Sequence, residues 1–112
     1  MEISCNKQNQ ALVVSVSGRM DGTTAHQFEQ ECDPWVEQGE KLLIVDMSQV
    51  EYISSAGLRS ILSTGKKLKS SGGSLVFVGM EGMVKEVFDM SGFNQLFSVY
   101  HSLEEAFEQQ GY

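Results

Sequence analysis

The sequence predicts an α/β fold: a mainly parallel, mixed sheet of about five strands covered by about four helices, in the order ββαβαβαβα. Three observations carry this. Two near-continuous apolar runs, LLIVDM at 42–47 and LVFV at 75–78, suit strands buried on both faces of a helix-covered parallel sheet. Between them, Leu58, Ile61, Leu62, Gly65 and Leu68 recur at helical spacing. Strands and helices alternate along the chain, and right-handed crossovers turn that alternation into parallel strands. The 112 residues hold no linker, repeat or low-complexity stretch, so residues 1–112 read as a single domain.

Residues 2–6 and 11–17 read as a hairpin around a polar turn of Asn6, Gln8, Asn9 and Gln10. In its second strand Leu12, Val14 and Val16 alternate with Val13, Ser15 and Ser17. Gly18-Arg19-Met20-Asp21-Gly22 follows as a loop with glycine at both ends. Thr24, with Gln27 three residues later, fits a capping box. It opens a helix with Ala25, Phe28, Cys32, Trp35 and Val36 inward, and Gly39 suits the left-handed position beyond its end. The one proline, Pro34, falls inside this helix, where it costs about 3 kcal/mol and one backbone hydrogen bond. The apolar face stays in register through it, which predicts a kink rather than a break.

Residues 42–47 give the third strand, 56–70 the second helix closed by Gly72-Gly73, and 75–78 the fourth strand. Residues 82–90 give a third helix with Met83, Val84, Val87 and Phe88 inward and Gly92 beyond its end. Residues 97–100 make a last short strand. Ser102 and Glu105 form a second capping box, opening a terminal helix with Leu103, Ala106 and Phe107 inward.

Composition excludes several function classes. Eight Lys plus Arg against 15 acids give a net charge of −7, which speaks against nucleic acid and against anionic lipid. The charge is uneven: −5 over residues 1–40, +3 over 41–80 and −5 over 81–112. No apolar run approaches the roughly 20 residues that span a membrane, and the N-terminus has no secretory pattern, so the expected location is the cytoplasm. Cys5 and Cys32 have neither disulfide-framework nor zinc spacing and read as reduced core thiols. His26 and His101 have no metal-ligand spacing, and no glycine-rich phosphate loop or nucleophile elbow occurs, so no metal, cofactor or ordinary active site is expected.

One segment stands apart: Val50-Glu51-Tyr52-Ile53-Ser54-Ser55-Ala56-Gly57-Leu58. It leaves the carboxyl end of a buried strand and enters a helix, the edge where open α/β sheets bind ligands and partners. Ser54 or Ser55 suits a helix N-cap, worth about 1 kcal/mol. The same position suits a modification site, because the free N–H groups and positive dipole end of a helix tolerate phosphate. Phosphoserine there adds about −1.5 to −2 charges without melting the helix.

With these residues in view, the chain resembles the STAS domain of bacterial anti-sigma-factor antagonists, over about residues 3–108. The match centres on Leu43-Ile44-Val45-Asp46-Met47-Ser48-Gln49-Val50 and Ile53-Ser54-Ser55-Ala56-Gly57-Leu58, similar to the family's strand, turn and phosphorylation loop. Gly18-Arg19-Met20-Asp21, Gly72-Gly73 and Phe88-Asp89-Met90-Ser91-Gly92-Phe93 add to it. The resemblance implies a protein that is no enzyme but the substrate and partner of a GHKL-type serine kinase that doubles as anti-sigma factor. The unmodified form binds the kinase and frees the sigma factor, phosphorylation breaks the complex, and a PP2C-type phosphatase restores it. It implies Ser55 as acceptor, with Ser54 as the alternative, because Ser54 stands where the family commonly has Asp. Asp21, Ser54 and Gly57 fall to the partner-binding surface. Arg59, one turn from Ser55, is a candidate for partner contact or for touching the phosphate. Lys66, Lys67 and Lys69 read as a solvated helix face. Two alternatives keep the same residues: a STAS module that switches a non-sigma target in secretion, biofilm formation or signalling, and an accessory subunit of a lipid-transport complex. A small acidic domain of this kind is expected to be a monomer.

Overall fold

The computed structural model describes residues 1–110. Its elements are β1 Glu2–Gln8, β2 Ala11–Met20, α1 Ala25–Glu37, β3 Leu42–Ile53, α2 Ser55–Ser70, β4 Ser74–Val78, α3 Gly82–Met90, α4 Phe93–Leu96, β5 Ser98–Tyr100 and α5 Leu103–Gln109. The sheet runs β1-β2-β3-β4-β5 in chain order. The hairpin partner β1 is antiparallel to β2, and β2 through β5 are parallel. The expected α/β architecture is present, with the four-residue α4 as an addition between α3 and β5.

Strand periodicity sorts side chains onto two faces. Leu12, Val14, Val16, Leu43, Val45, Leu75 and Phe77 face one core, with Phe28 and Cys32 of α1, Ile61 and Leu68 of α2, Val84 and Phe88 of α3, and Phe93 of α4. Ala11, Leu42, Ile44, Val76 and Val78 face a second core closed by Ala106, Leu103 and Phe107 of α5. Phe77 and Phe88 meet edge to face at 4.9 Å between ring centroids, and Phe93 extends the stack at 5.3 Å from Phe88.

Several local expectations change. β2 and β3 run on to Met20 and Ile53, because Ser48, Gln49 and Glu51 point to solvent while Val50 and Ile53 return to the core. Register shifts between Ser15 and Ser17 and between Gly18 and Arg19 absorb the mismatch with β2. α1 is one helix through Pro34, with no break. Thr24 stands at its N-cap but makes no capping hydrogen bond with its side chain; its hydroxyl bonds the preceding loop instead. Met83 is exposed rather than inward, since Val84 and Phe88 hold the buried face of α3. Cys32 is buried but Cys5, on the outer strand β1, is only half-buried; both are free thiols. Gly39 takes the expected left-handed conformation at φ 101°. Ser102 caps α5, accepting from the Glu105 N–H at 3.1 Å.

Candidate functional site

Four parallel strands end at one edge of the sheet, at Met20, Ile53, Val78 and Tyr100. The turn after β3 is a single residue, Ser54, between strand and helix. Ser54 is extended, at φ −99° and ψ 177°, and its Oγ accepts the Gly57 N–H at 3.3 Å, so it is the N-cap of α2. Ser55 is the first helical residue and is exposed. Among the described residues none bonds the Ser55 hydroxyl. The two adjacent serines therefore stand in different states: one hydroxyl is occupied by the backbone, the other faces solvent.

Gly57 binds this turn to the end of β2. A Cβ there would stand 2.8 Å from Ile53 Cγ1, 2.9 Å from the Met20 carbonyl oxygen and 3.0 Å from Met20 Cβ. Only a hydrogen fits. The Ser54 N–H also donates to the Met20 carbonyl at 2.9 Å. These two contacts bring the loop that begins at Asp21 beside Ser54 and Ser55.

Asp21 shapes that loop. Its Oδ1 accepts from the Thr23 N–H at 3.0 Å, the Thr23 hydroxyl at 2.8 Å and the Thr24 hydroxyl at 3.2 Å. Its Oδ2 lies 3.6 Å from Arg19 Nε, and the Arg19 guanidinium stacks over Tyr52 at 4.2 Å. The hydrogen bonds from Thr23, side chain first, lower the carboxyl's pKa to about 2 and hold it ionised.

Arg59 is exposed on α2 and lines a shallow groove with Gly22, His26, Glu29 and Ala56. Beneath the groove, the buried Ser60 hydroxyl donates to the Ala25 carbonyl at 2.8 Å and fixes the start of α1 against α2. Further along, Ser63 donates to Glu29 at 2.8 Å, and Lys67 reaches both Glu29 and Asp33 at 3.1 Å. Partial burial works against the Glu29 carboxylate, but hydrogen bonds from Ser63 and Lys67 outweigh it and lower its pKa. The uneven charge of the sequence thus has a structural use at Lys67, which ties basic α2 to acidic α1. Lys66 and Lys69 remain exposed, as a solvated face requires.

Asp21, Ser54, Ser55, Gly57 and Arg59 thus share one sheet edge. Sequence reasoning missed Thr23, and it missed the supporting roles of Met20 and Thr24, which it places only in a matching motif and at a helix cap. An Asp followed two and three residues later by hydroxyl residues is a turn signal that marks the last two; nothing in the sequence marks Met20. The arrangement holds a hydroxyl in solvent at a helix N-terminus, next to a fixed carboxylate and a free arginine. Among the described residues no cluster of three or more His, Cys, Asp or Glu could hold a metal. No helix of the described residues is long and apolar enough to cross a membrane. Another groove, lined by Lys85, Asp89, Tyr100 and His101 among others, contains none of Asp21, Ser54, Ser55, Gly57 and Arg59.

Comparison with known proteins matches nearly the whole chain. The sequence profile of the STAS domain matches residues 2–106. A Bordetella bronchiseptica protein provisionally named as an anti-sigma factor antagonist, BtrV, is 36% identical over 106 residues, covering 95% of this chain and 91% of that protein. The crystal structure of an anti-sigma factor antagonist from Mycobacterium paratuberculosis superposes with a TM-score of 0.87 at 28% identity, over 96% of this chain and 92% of that one. The Bacillus cell fate determinant SpoIIAA, solved in its phosphorylated form, has the same fold: TM-score 0.75 at 17% identity, over 96% and 98% of the two chains.

Proposed function

Because the chain belongs to the STAS domain family, we propose that it is an anti-sigma-factor antagonist whose binding is switched by phosphorylation of Ser55. In this reading the unmodified protein binds a GHKL-type serine kinase that is also the anti-sigma factor, and the sigma factor is released. The kinase then moves the γ-phosphoryl of ATP to Ser55 Oγ, with ADP leaving and one proton released, and the complex breaks. A PP2C-type phosphatase hydrolyses the phosphoserine and restores binding. The protein is a substrate and partner in this cycle, not an enzyme, and acts in the cytoplasm.

The observation that carries the reading is the difference between the two serines: Ser55 is exposed and, among the described residues, unbonded at the first turn of α2, whereas the Ser54 hydroxyl caps the helix. A kinase needs a hydroxyl it can reach without unfolding the acceptor. A phosphate at this position adds about −1.5 to −2 charges where free N–H groups and the helix dipole favour it. The fold survives and only the surface changes. Gly57 supports the reading by packing the acceptor turn on Met20, which keeps Asp21 within the same surface. The names of the Bordetella and Mycobacterium relatives support the class of partner.

The test is incubation of the full chain with its cognate kinase and ATP, followed by mass mapping. One phosphate is expected on Ser55, and Ser55→Ala takes up none. Phosphorylation of Ser55→Ala at the wild-type level would sink the assignment.

A further inference from the structure

We propose that Arg59 is the internal counter-ion of the phosphate on Ser55, so that phosphorylation withdraws this arginine from the partner-facing surface. The proposal rests on the phosphorylation reading above and adds how the switch acts. Ser55 and Arg59 are four residues apart on α2, which places their Cβ atoms about 5–6 Å apart on one face. Helical side chains lean toward the N-terminus, so Arg59 reaches back over the turn that carries Ser55. Both residues are exposed, and Ala56, which lines the groove with Arg59, offers no polar group to compete.

Arg59 is also uncommitted. Among the described residues, Lys7, Arg19, Lys67 and Lys85 each stand within ion-pair distance of an acid, while Arg59, like Lys41, Lys66 and Lys69, does not. The charged groups near it leave it free. Glu29 of α1 is engaged by Ser63 and Lys67, and Asp21 by Thr23, Thr24 and Arg19. His26 of α1 brings no negative charge to the groove. A phosphate monoester on Ser55 then places an unengaged anion in reach, and a guanidinium receives it through paired, charge-assisted hydrogen bonds. The switch has two parts: a negative charge appears at the start of α2, and a positive charge one turn below is taken out of use.

The test uses the full chain with phosphoserine installed at position 55 during translation, so no kinase is needed. The second ionisation of phosphoserine, ordinarily near pKa 6, is followed by phosphorus NMR. In the wild-type background it is expected about 0.5 unit lower than in Arg59→Gln, in line with an exposed ion pair. The Arg59 Nε–H resonance is expected to shift on phosphorylation. Lys66→Gln, an equal change in net charge further along the helix, is expected to leave the titration at its wild-type position. Equal titrations in wild type and Arg59→Gln, or an equal effect from Lys66→Gln, would overturn the proposal. Failure of a kinase to modify Ser55 would instead sink the functional reading and leave this result standing.

Discussion

Gly57→Ala tests the contact on which the site depends. In a helix this exchange is ordinarily favourable, by about 1 kcal/mol. Here the new Cβ would lie 2.9 Å from the Met20 carbonyl oxygen and 2.8 Å from Ile53 Cγ1. The carbonyl belongs to Met20, which pairs with Ile53 of β3 and whose side chain is buried, so it yields poorly. Overpacking of this kind costs about 1–3 kcal/mol. Pushing α2 away from β2 also strains the 2.9 Å bond from Ser54 N–H to the Met20 carbonyl, worth about 1 kcal/mol. The net expectation is a loss of about 1–2 kcal/mol, or a fall in Tm of roughly 4–8 °C for a domain of this size. Thermal unfolding by circular dichroism measures it, and phosphate uptake at Ser55 should fall in parallel as the acceptor turn moves away from Asp21. Gly22→Ala is the control, with open space around its Cβ position and an expected change within about 0.5 kcal/mol. A Gly57→Ala protein as stable as wild type would refute the packing argument.

Ser54→Ala should cost about 1 kcal/mol through the lost cap yet still accept phosphate at Ser55, while Ser55→Ala should unfold within about 0.5 kcal/mol of wild type. Thermal melts and phosphate mapping on the same samples separate the two serines. The Asp21 carboxyl should titrate near pH 2 by carbon NMR, against an ordinary 3.8, and Thr23→Ala should raise it. Since the folded pKa lies below the unfolded one, the group's contribution to stability is complete above about pH 4 and is lost as pH falls toward 2. Urea midpoints should therefore drop over that window, and by less in Thr23→Ala.

The sequence exposed the parallel core well, because LLIVDM and LVFV can be buried on both faces only in such a sheet. The serine turn between β3 and α2 was legible too, since hydroxyl residues between an apolar strand and a helical repeat suit a helix N-cap, as Ser54 shows. The full length of β3 was not. Ser48, Gln49 and Glu51 read as loop, yet they are the solvent side of a strand whose other side is Val50 and Ile53. Thr24 matched a capping pattern, but the Arg19 carbonyl and the Asp21 N–H compete for its hydroxyl and win. The cause of Gly57 lies in Met20, 37 residues earlier, and local pattern carries no trace of such a contact. Lys67 likewise read as solvated because its partners, Glu29 and Asp33, sit on another helix.

In the proposed cycle the state of Ser55 decides partner binding. The most direct measurement is the affinity of the cognate kinase/anti-sigma factor for the protein with Ser55 unmodified and with Ser55 phosphorylated, by titration calorimetry under one set of salt and nucleotide conditions. The unmodified form is expected to bind at least about tenfold more tightly, a difference of about 1.4 kcal/mol or more. Equal affinities for the two forms would contradict it.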